Sequence, residues 1–443
     1  MERWRELPDL ALPWTSCTAT AGDIGLRVEL EMFPVWLADL HLLPPHVSAG
    51  PDGLLARLAA QEGWRPHLAA DQVVALTRDA EQVTLRPGGV LAYTTPWCTT
   101  LWEVAPALDA FLASVTMAAQ PLGVGLLPLG YHPYAVPDAG PAGPASAYHR
   151  GEAMQQLTAG LHITLALASA AETMRTLQLA SKLTPFLLAL SANSAVQAGR
   201  ETGRASTRAY AWMGLDPARA GFPDWIFHPQ ARLADYRAWA LAAPLAGLER
   251  DGAILGVTPV SFQAFRHSGL ALPSGQGYTY ATQADWQRHL RTLMPWARLQ
   301  HGVEIRACES QAPELALALG ALVKGLCASP RARQVVETLV GAYDEDRLAH
   351  LLQHATLYGL EADVDGLAFR DMLGLLLDVA HESLRASGDQ EECWLTPARL
   401  LLSTRSTPAS GARTAWDLEQ SLRSHLLLPT MLQTTTVCQG ALA

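Results

Sequence analysis

The sequence has no excess of positive charge. Acidic residues outnumber Lys and Arg by 42 to 32, which leaves a formal net charge of −10 over 443 residues. Nucleic-acid binders carry a basic patch or stripe. The densest basic stretch here, Arg200 to Arg208, is interrupted by Glu201, so no nucleic-acid partner is expected. Cysteine is sparse: Cys17, Cys98, Cys308, Cys327, Cys393 and Cys438 form no CxxC pair and have no His cluster beside them. Zinc sites of ordinary spacing are excluded on that ground, and scattered thiols in a chain this long fit a reducing compartment. Long apolar runs are missing too. Phe111–Gly130 is broken by Pro and Gly, and Leu183–Ala192 falls short of the about 20 residues that span a bilayer. Both read as buried core, with no membrane partner. The opening MERWRELPDL is charged and has no apolar signal core, so the expectation is a cytoplasmic protein. Neither a P-loop of the GxxxxGK[ST] form nor a GxGxxG after a strand is present. If the protein uses a nucleotide, metals and side chains must hold the phosphates.

What is present is a globular composition. Hydrophobic residues make up 49% and charged residues 17%, which excludes global disorder. Residues 22–36 alternate, with Ile24, Leu26, Val28, Leu30 and Met32 on one face and Arg27, Glu29 and Glu31 on the other. A period of two predicts a strand. Further strands are expected at Val73–Leu76, Val83–Leu85, Val90–Thr94, His162–Leu167 and Val303–Arg306, with a turn at Arg86-Pro-Gly-Gly89. Helical spacing covers Ala105–Ala118, Ala170–Ser191 (with Pro185 inside), Asp285–Leu293, much of 312–386, and Thr414–Leu427. Residues 128–144, 199–230 and 387–413 read as loops, and Gln433–Ala443 as a frayed tail. The fold class is therefore α+β: an antiparallel sheet with a carboxylate-lined face, flanked by helices, with a helical C-terminal part. A catalytic unit over 1–330 and a helical extension over 331–443 are expected.

Glu29-x-Glu31 puts two carboxylates on one face of a strand. They repel each other, and a half-buried sheet tolerates them if a cation lies between them. Mg²⁺ takes oxygen ligands and bridges protein carboxylates to phosphates. A solvent-facing strand edge accounts for the pair equally. Glu304-x-Arg306 repeats the geometry with opposite charges: a guanidinium fork suits phosphate or carboxylate, and a surface ion pair is the plainer reading. His162 follows Gly160 on a strand and faces either a ligand or the core. Asn193, Arg200, Ser206 and Arg208 crowd a glycine-broken stretch after an apolar helix, where binding groups often sit.

Taken in order, these segments resemble the glutamate–cysteine ligase superfamily, notably its plant and proteobacterial type and the ligase of ergothioneine biosynthesis. GLRVELEMFP is similar to the family's first strand with its ExE pair, and TLRPGGVLAYT to a segment usually written EPGGQxELS. LLALSANSAVQAGRETGRASTRAYAW resembles the family's long helix and following loop. ATQADWQRHLRTLMPWARLQHGVEIRACES resembles its DWxxHLxTxFPxxR segment and ExR strand. The likeness runs from Gly25 to Leu326. GLHIT is nearer to the related carboxylate–amine ligases, which carry a His there. The resemblance implies a glutamine synthetase-like sheet and an ATP-dependent ligase with ATP and Mg²⁺ as cofactors. Glutamate would be phosphorylated to an acyl phosphate, and cysteine or another amine would displace the phosphate. It makes Glu29, Glu31 and Glu304 metal ligands. Arg306, His162 and Arg208 would serve the transferred phosphoryl group and substrate, and Arg298, Trp286 and Asn193 the nucleotide.

The sequence departs from that pattern on the second strand. Arg86 and Ala92 stand where the family carries acids, Val90 replaces Gln, and Thr94 replaces Ser. Glu309 stands for the usual Asp after the ExR strand. Three consequences stay open: Arg86 serves as a fixed positive charge, Asp79 or Glu81 reaches in, or the chain is a catalytically silent homologue that binds without turnover.

Overall fold

The computed structural model of the chain describes residues 12–13, 24–49, 53–61, 63–69, 71–136, 153–250, 253–255, 260–271, 277–327, 329–407 and 409. The segments expected at Thr414–Leu427 and Gln433–Ala443 lie outside the described residues.

Its centre is a nine-stranded antiparallel sheet. The strands are β1 (Gly25–Trp36), β2 (Arg65–Ala69), β3 (Gln72–Arg78), β4 (Glu81–Leu85), β5 (Leu91–Thr94), β6 (Val124–Leu127), β7 (Gly160–Ala166), β8 (Ala297–Leu299) and β9 (Val303–Glu309). Their spatial order is β8-β9-β7-β1-β5-β4-β3-β2, with β6 on the second half of β1. The alternation in β1 decides the layering. Leu26, Val28, Leu30 and Met32 join the apolar core together with Leu161, Ile163 and Leu165 of β7 and Val303 and Ile305 of β9. Glu29 and Glu31 necessarily face the other way.

The expected turn at Arg86–Gly89 forms one tight 3-10 turn, closed by Arg86 N–H donating to Val90 O at 2.7 Å. Gly88 is required there: its φ is +80°, and a Cβ would lie 2.1 Å from Gln156 O.

Helices pack against the sheet and against one another. They are α1 (Leu101–Ala119), α2 (Ala170–Ser191), α3 (Thr207–Met213), α4 (Leu233–Ala242), α5 (Gln283–Thr292), α6 (Pro313–Cys327), α7 (Pro330–Val340), α8 (Glu345–Tyr358), α9 (Phe369–Ser387) and α10 (Thr396–Thr404). Helix α2 starts at Ser169, whose hydroxyl accepts from Glu172 N–H at 3.2 Å. Its second half, Leu179–Ser191, is buried on every side, while Ala171 and Arg175 in its first turns are exposed. Helix α1 and the turn after it, Leu101–Leu122, are long and apolar enough to cross a membrane by length and composition. Phe111, Leu112 and Val115 nevertheless lie in the core of this fold. Residues on both sides of position 330 share one apolar cluster, which runs from the sheet to Ala398. A buried ion pair fastens them: Lys324 Nζ donates to Glu391, whose other oxygen accepts from Leu101 N–H at 2.5 Å.

Two loop expectations are corrected. Residues 199–230 contain α3 and a 3-10 turn at Asp224–Phe227. Their seven glycines and prolines all flank a helix of seven residues, too short for its period to stand out. Residues 387–413 contain a 3-10 turn at Glu391–Leu395 and then α10. Pro397 occupies the first turn of that helix, where its missing N–H costs nothing, and α10 buries little beyond Ala398. The edge strand β2 was not anticipated because all five of its residues are exposed, leaving no apolar alternation.

Candidate active site

The face of the sheet turned from the helices carries a buried floor of charge. Strand β1 lies between β7 and β5, and its partners fix the neighbours: Glu29 sits across from His162 on one side and Thr94 on the other, and Glu31 from Ala92. On the far side of β7, Glu304 of β9 sits opposite Thr164. His162 Nδ1 lies 2.9 Å from Glu29 Oε1 and 3.4 Å from Glu304 Oε1. Donor atoms of Glu29, His162 and Glu304 all fall within 4.8 Å of one another. That is a mixed oxygen and nitrogen set able to hold one divalent cation.

Each carboxylate already has partners. Arg86 Nη2 donates to Glu29 Oε1, and Thr94 Oγ1 to Glu29 Oε2 at 3.0 Å. Glu31 accepts from Gly160 N–H at 2.7 Å and lies 3.6 Å from Arg86 Nε. Glu304 is gripped by Arg298 through Nε, and through Nη2 at 3.3 Å. Burial alone would raise both acids. For Glu29 the charge of Arg86 and the contacts of His162 and Thr94 outweigh it and hold the carboxyl well below its ordinary value. For Glu304, Arg298, Arg306 and His162 do the same and bring it to about 2. Arg86 is pushed up, first of all by Glu29, against the opposing effect of burial.

Beside this floor stand Arg208 and Arg306. Arg208 Nη2 donates to Arg306 O at 2.8 Å. Both guanidiniums lie over the ring of Trp212, at 4.3 and 4.6 Å from its centroid. Burial, together with the like charge of Arg298, depresses Arg306 to about 9. Arg208 Nε and Nη1 and Arg306 Nε are buried and have no hydrogen-bond acceptor. Buried guanidinium N–H groups without acceptors are costly, and an anion would satisfy them. Gly160 makes room: a Cβ there would lie 2.6 Å from Arg208 Nη2.

Thus the structure brings Glu29, Glu31, Glu304, His162, Arg298, Arg306 and Arg208 together. Arg298 acts on Glu304 and on the carbonyls of Arg291 and Leu293. Asn193 and Trp286 are placed elsewhere. The Asn193 amide nitrogen donates to Pro128 O and Ser310 O, both at 3.0 Å. Trp286 is fully buried among Phe262 and His289. Glu81 is turned to the helix side, where it pairs with Arg78 at 2.7 Å and accepts from Tyr93. The sequence assigns no role to Trp212 and marks Glu309 only as a replacement for Asp. Trp212 lies four residues after Arg208, the spacing that stacks side chains on a helix, but the segment was read as a loop. Glu309 ties three segments: it accepts from Asn193 N–H at 2.5 Å, from Ser194 Oγ at 2.8 Å, and from Ser206 Oγ. A cavity of about 710 Å³ lies apart from this floor, lined by Met174, Lys182, Phe227 and Glu337 among others.

The face of this antiparallel sheet that carries the charged floor joins carboxylates to buried guanidinium N–H groups without acceptors. The family model for glutamate–cysteine ligase family 2 matches residues 26–423, and the chain belongs to that family. Among its relatives is the chloroplastic glutamate–cysteine ligase of Brassica juncea, 25% identical over 80% of this chain and 71% of that protein. The chloroplastic enzyme of Solanum lycopersicum is 26% identical over 80% of this chain and 70% of its own length. In three dimensions the fold matches the glutamate–cysteine ligase of Francisella tularensis, solved in complex with AMP. The TM-score is 0.56 at 11% identity, covering 94% of this chain and 89% of that one. A bifunctional glutathione synthetase from Pasteurella multocida aligns at a TM-score of 0.50 and 13% identity, over 94% of this chain and 53% of that one.

Proposed function

We propose that the protein is an ATP-dependent ligase that joins the γ-carboxylate of glutamate to the amine of cysteine or a similar amine through an acyl phosphate. The observation that carries this reading is the pairing of a carboxylate floor with buried, acceptor-less N–H groups on Arg208 and Arg306. Carboxylate and triphosphate repel each other, so a catalyst for their reaction must supply positive charge and fixed positions. Arg306 and Arg208, spread on Trp212, would bind the phosphoryl oxygens that arrive from ATP. Arg298 fixes the Glu304 carboxylate, and His162 bridges Glu304 and Glu29. The donor atoms of Glu29, His162 and Glu304 fit a divalent cation such as Mg²⁺, which when bound screens phosphate charge. The relatives' names make cysteine the first amine to test, and consumption of ATP fits a cytoplasmic protein.

A second reading, binding without turnover, has one observation in its favour: Arg86 already engages Glu29 and Glu31. Mass spectrometry of product together with ADP release separates the two. Purified protein is given ATP, Mg²⁺ and glutamate with cysteine or a panel of amines, and Glu31→Gln serves as the blank. A γ-glutamyl product that disappears in the blank supports the ligase; product and ADP both at blank level with ATP still bound would sink it.

A further inference from the structure

We propose that Arg86 takes the place of a divalent cation in this site, serving as a permanent counter-charge for Glu29 and Glu31. Three observations carry it. First, β5 offers no carboxylate to the floor. The residue opposite Glu31 is Ala92, and the one opposite Glu29 is Thr94, whose hydroxyl donates to Glu29. Second, Arg86 fills the gap by bridging both acids, with Nη2 on Glu29 and Nε 3.6 Å from Glu31 Oε1. Its position is fixed by the turn that carries it, through the Arg86–Val90 hydrogen bond and the close approach of Gly88 to Gln156. Third, the carboxylates are offset without any ion. The three carboxylates of Glu29, Glu31 and Glu304 face four guanidiniums, those of Arg86, Arg298, Arg306 and Arg208.

A divalent ion placed between Glu29 and Glu31 would meet a guanidinium already there, and the two cations would repel. Among the described residues, the position left for a cation is the one at Glu29, His162 and Glu304. A cation there would take the lone pair of His162 Nδ1, which lies 2.9 Å from Glu29 Oε1 and 3.4 Å from Glu304 Oε1, with the ring proton on Nε2. A guanidinium neutralises charge and donates N–H groups to phosphate oxygens, yet unlike an ion it cannot be removed by a chelator. The functional meaning rests on the ligase reading; the measurement does not.

The test is a count of bound Mn²⁺ per chain, read from the electron paramagnetic resonance of free Mn²⁺ in nucleotide-free protein. Wild type is expected to hold at most one ion. Arg86→Ala is expected to hold one more, and the added ion should vanish in Arg86→Ala/Glu31→Gln. Equal counts in wild type and a folded Arg86→Ala, checked by circular dichroism, would overturn the proposal. So would a wild type that holds more than one site ion removable by Glu31→Gln. Arg86→Gln, which keeps most of the side-chain volume, substitutes if Arg86→Ala does not fold. Missing γ-glutamyl product from wild type would sink the ligase reading and leave the Mn²⁺ count standing, and equal counts would do the reverse.

Discussion

Glu304 and Glu309 share strand β9, and both are buried, yet their surroundings drive them in opposite directions. Glu304 lies against the guanidiniums of Arg298 and Arg306, which overcome the effect of burial and bring it to about 2. Glu309 is pushed up by burial; the hydroxyl of Ser206, the charge of Arg208, Ser194 and the Asn193 N–H offset only part of that. Five residues apart on a regular strand, the two acids would point to opposite faces; the break in register between Ile305 and Cys308 shifts that alternation, and Glu309 lies opposite Gly160 at the end of the strand. What differs is the kind of donor. Guanidiniums keep an acid charged for chemistry, whereas neutral hydroxyl and amide donors turn an acid into a fastener that joins β9, the end of α2 and the start of α3.

The largest expected effect breaks the charged half. Glu304→Ala leaves Arg298 buried without its counter-charge, which should cost about 3–5 kcal/mol. Ligase activity should fall by orders of magnitude, since each about 1.4 kcal/mol of lost transition-state stabilisation is tenfold. Urea unfolding and product formation check this, and a change under about 1 kcal/mol with activity kept would show that Arg298 is not held by Glu304.

Next comes the neutral half. Glu309→Ala strands the Asn193 N–H and two hydroxyls and should cost about 1–3 kcal/mol. Because the charged floor stays intact, Mn²⁺ binding by folded protein should match wild type. Loss of Mn²⁺ binding in a folded variant would mean that the two halves are coupled.

The acid limb of stability sharpens the contrast further. Glu29 and Glu304 have depressed carboxyls, so their contribution is complete above the unfolded carboxyl value of about 4.3 and is lost as pH falls through their lower folded values, for Glu304 about 2. Glu309 has the opposite sign: its raised carboxyl favours the folded state below the unfolded value, and that contribution is lost as pH rises from the unfolded value through its raised folded one. Urea midpoints should therefore drop below pH 4 in wild type and drop less in Glu304→Gln. Parallel curves for the two would contradict the assignment.

The smallest effect is expected away from both. Arg175 and Glu337 pair at 2.8 Å with side chains 56% and 45% exposed, and Arg175→Ala should change stability by under about 1 kcal/mol. A larger loss in thermal unfolding would mean that burial is not what separates strong from weak pairs in this chain.

By itself, the sequence determined the elements whose pattern is local. The alternation of Leu26 to Met32 determined β1 and the face that Glu29 and Glu31 take, because a strand repeats every two residues whatever surrounds it. The apolar run of Ala170–Ser191 determined α2, and Pro87-Gly88-Gly89 the turn. Family membership was also legible, as an ordered series of such local segments. Short elements were not: α3, α10 and β2 give too few periods to rise above their glycines, prolines or exposed polar residues. Nor were the roles of single side chains within the floor. That Arg298 grips Glu304, that Arg86 rather than Glu81 reaches Glu29, that Trp212 carries two guanidiniums and that Asn193 is engaged by Pro128 and Ser310 were decided by tertiary structure alone. The contacts of Arg86 with Glu29, Arg306 with Trp212 and Asn193 with Ser310 join residues distant in the chain, and charge–charge and hydrogen-bond energies depend on separations of a few ångströms, which only the packing of sheet on helices sets.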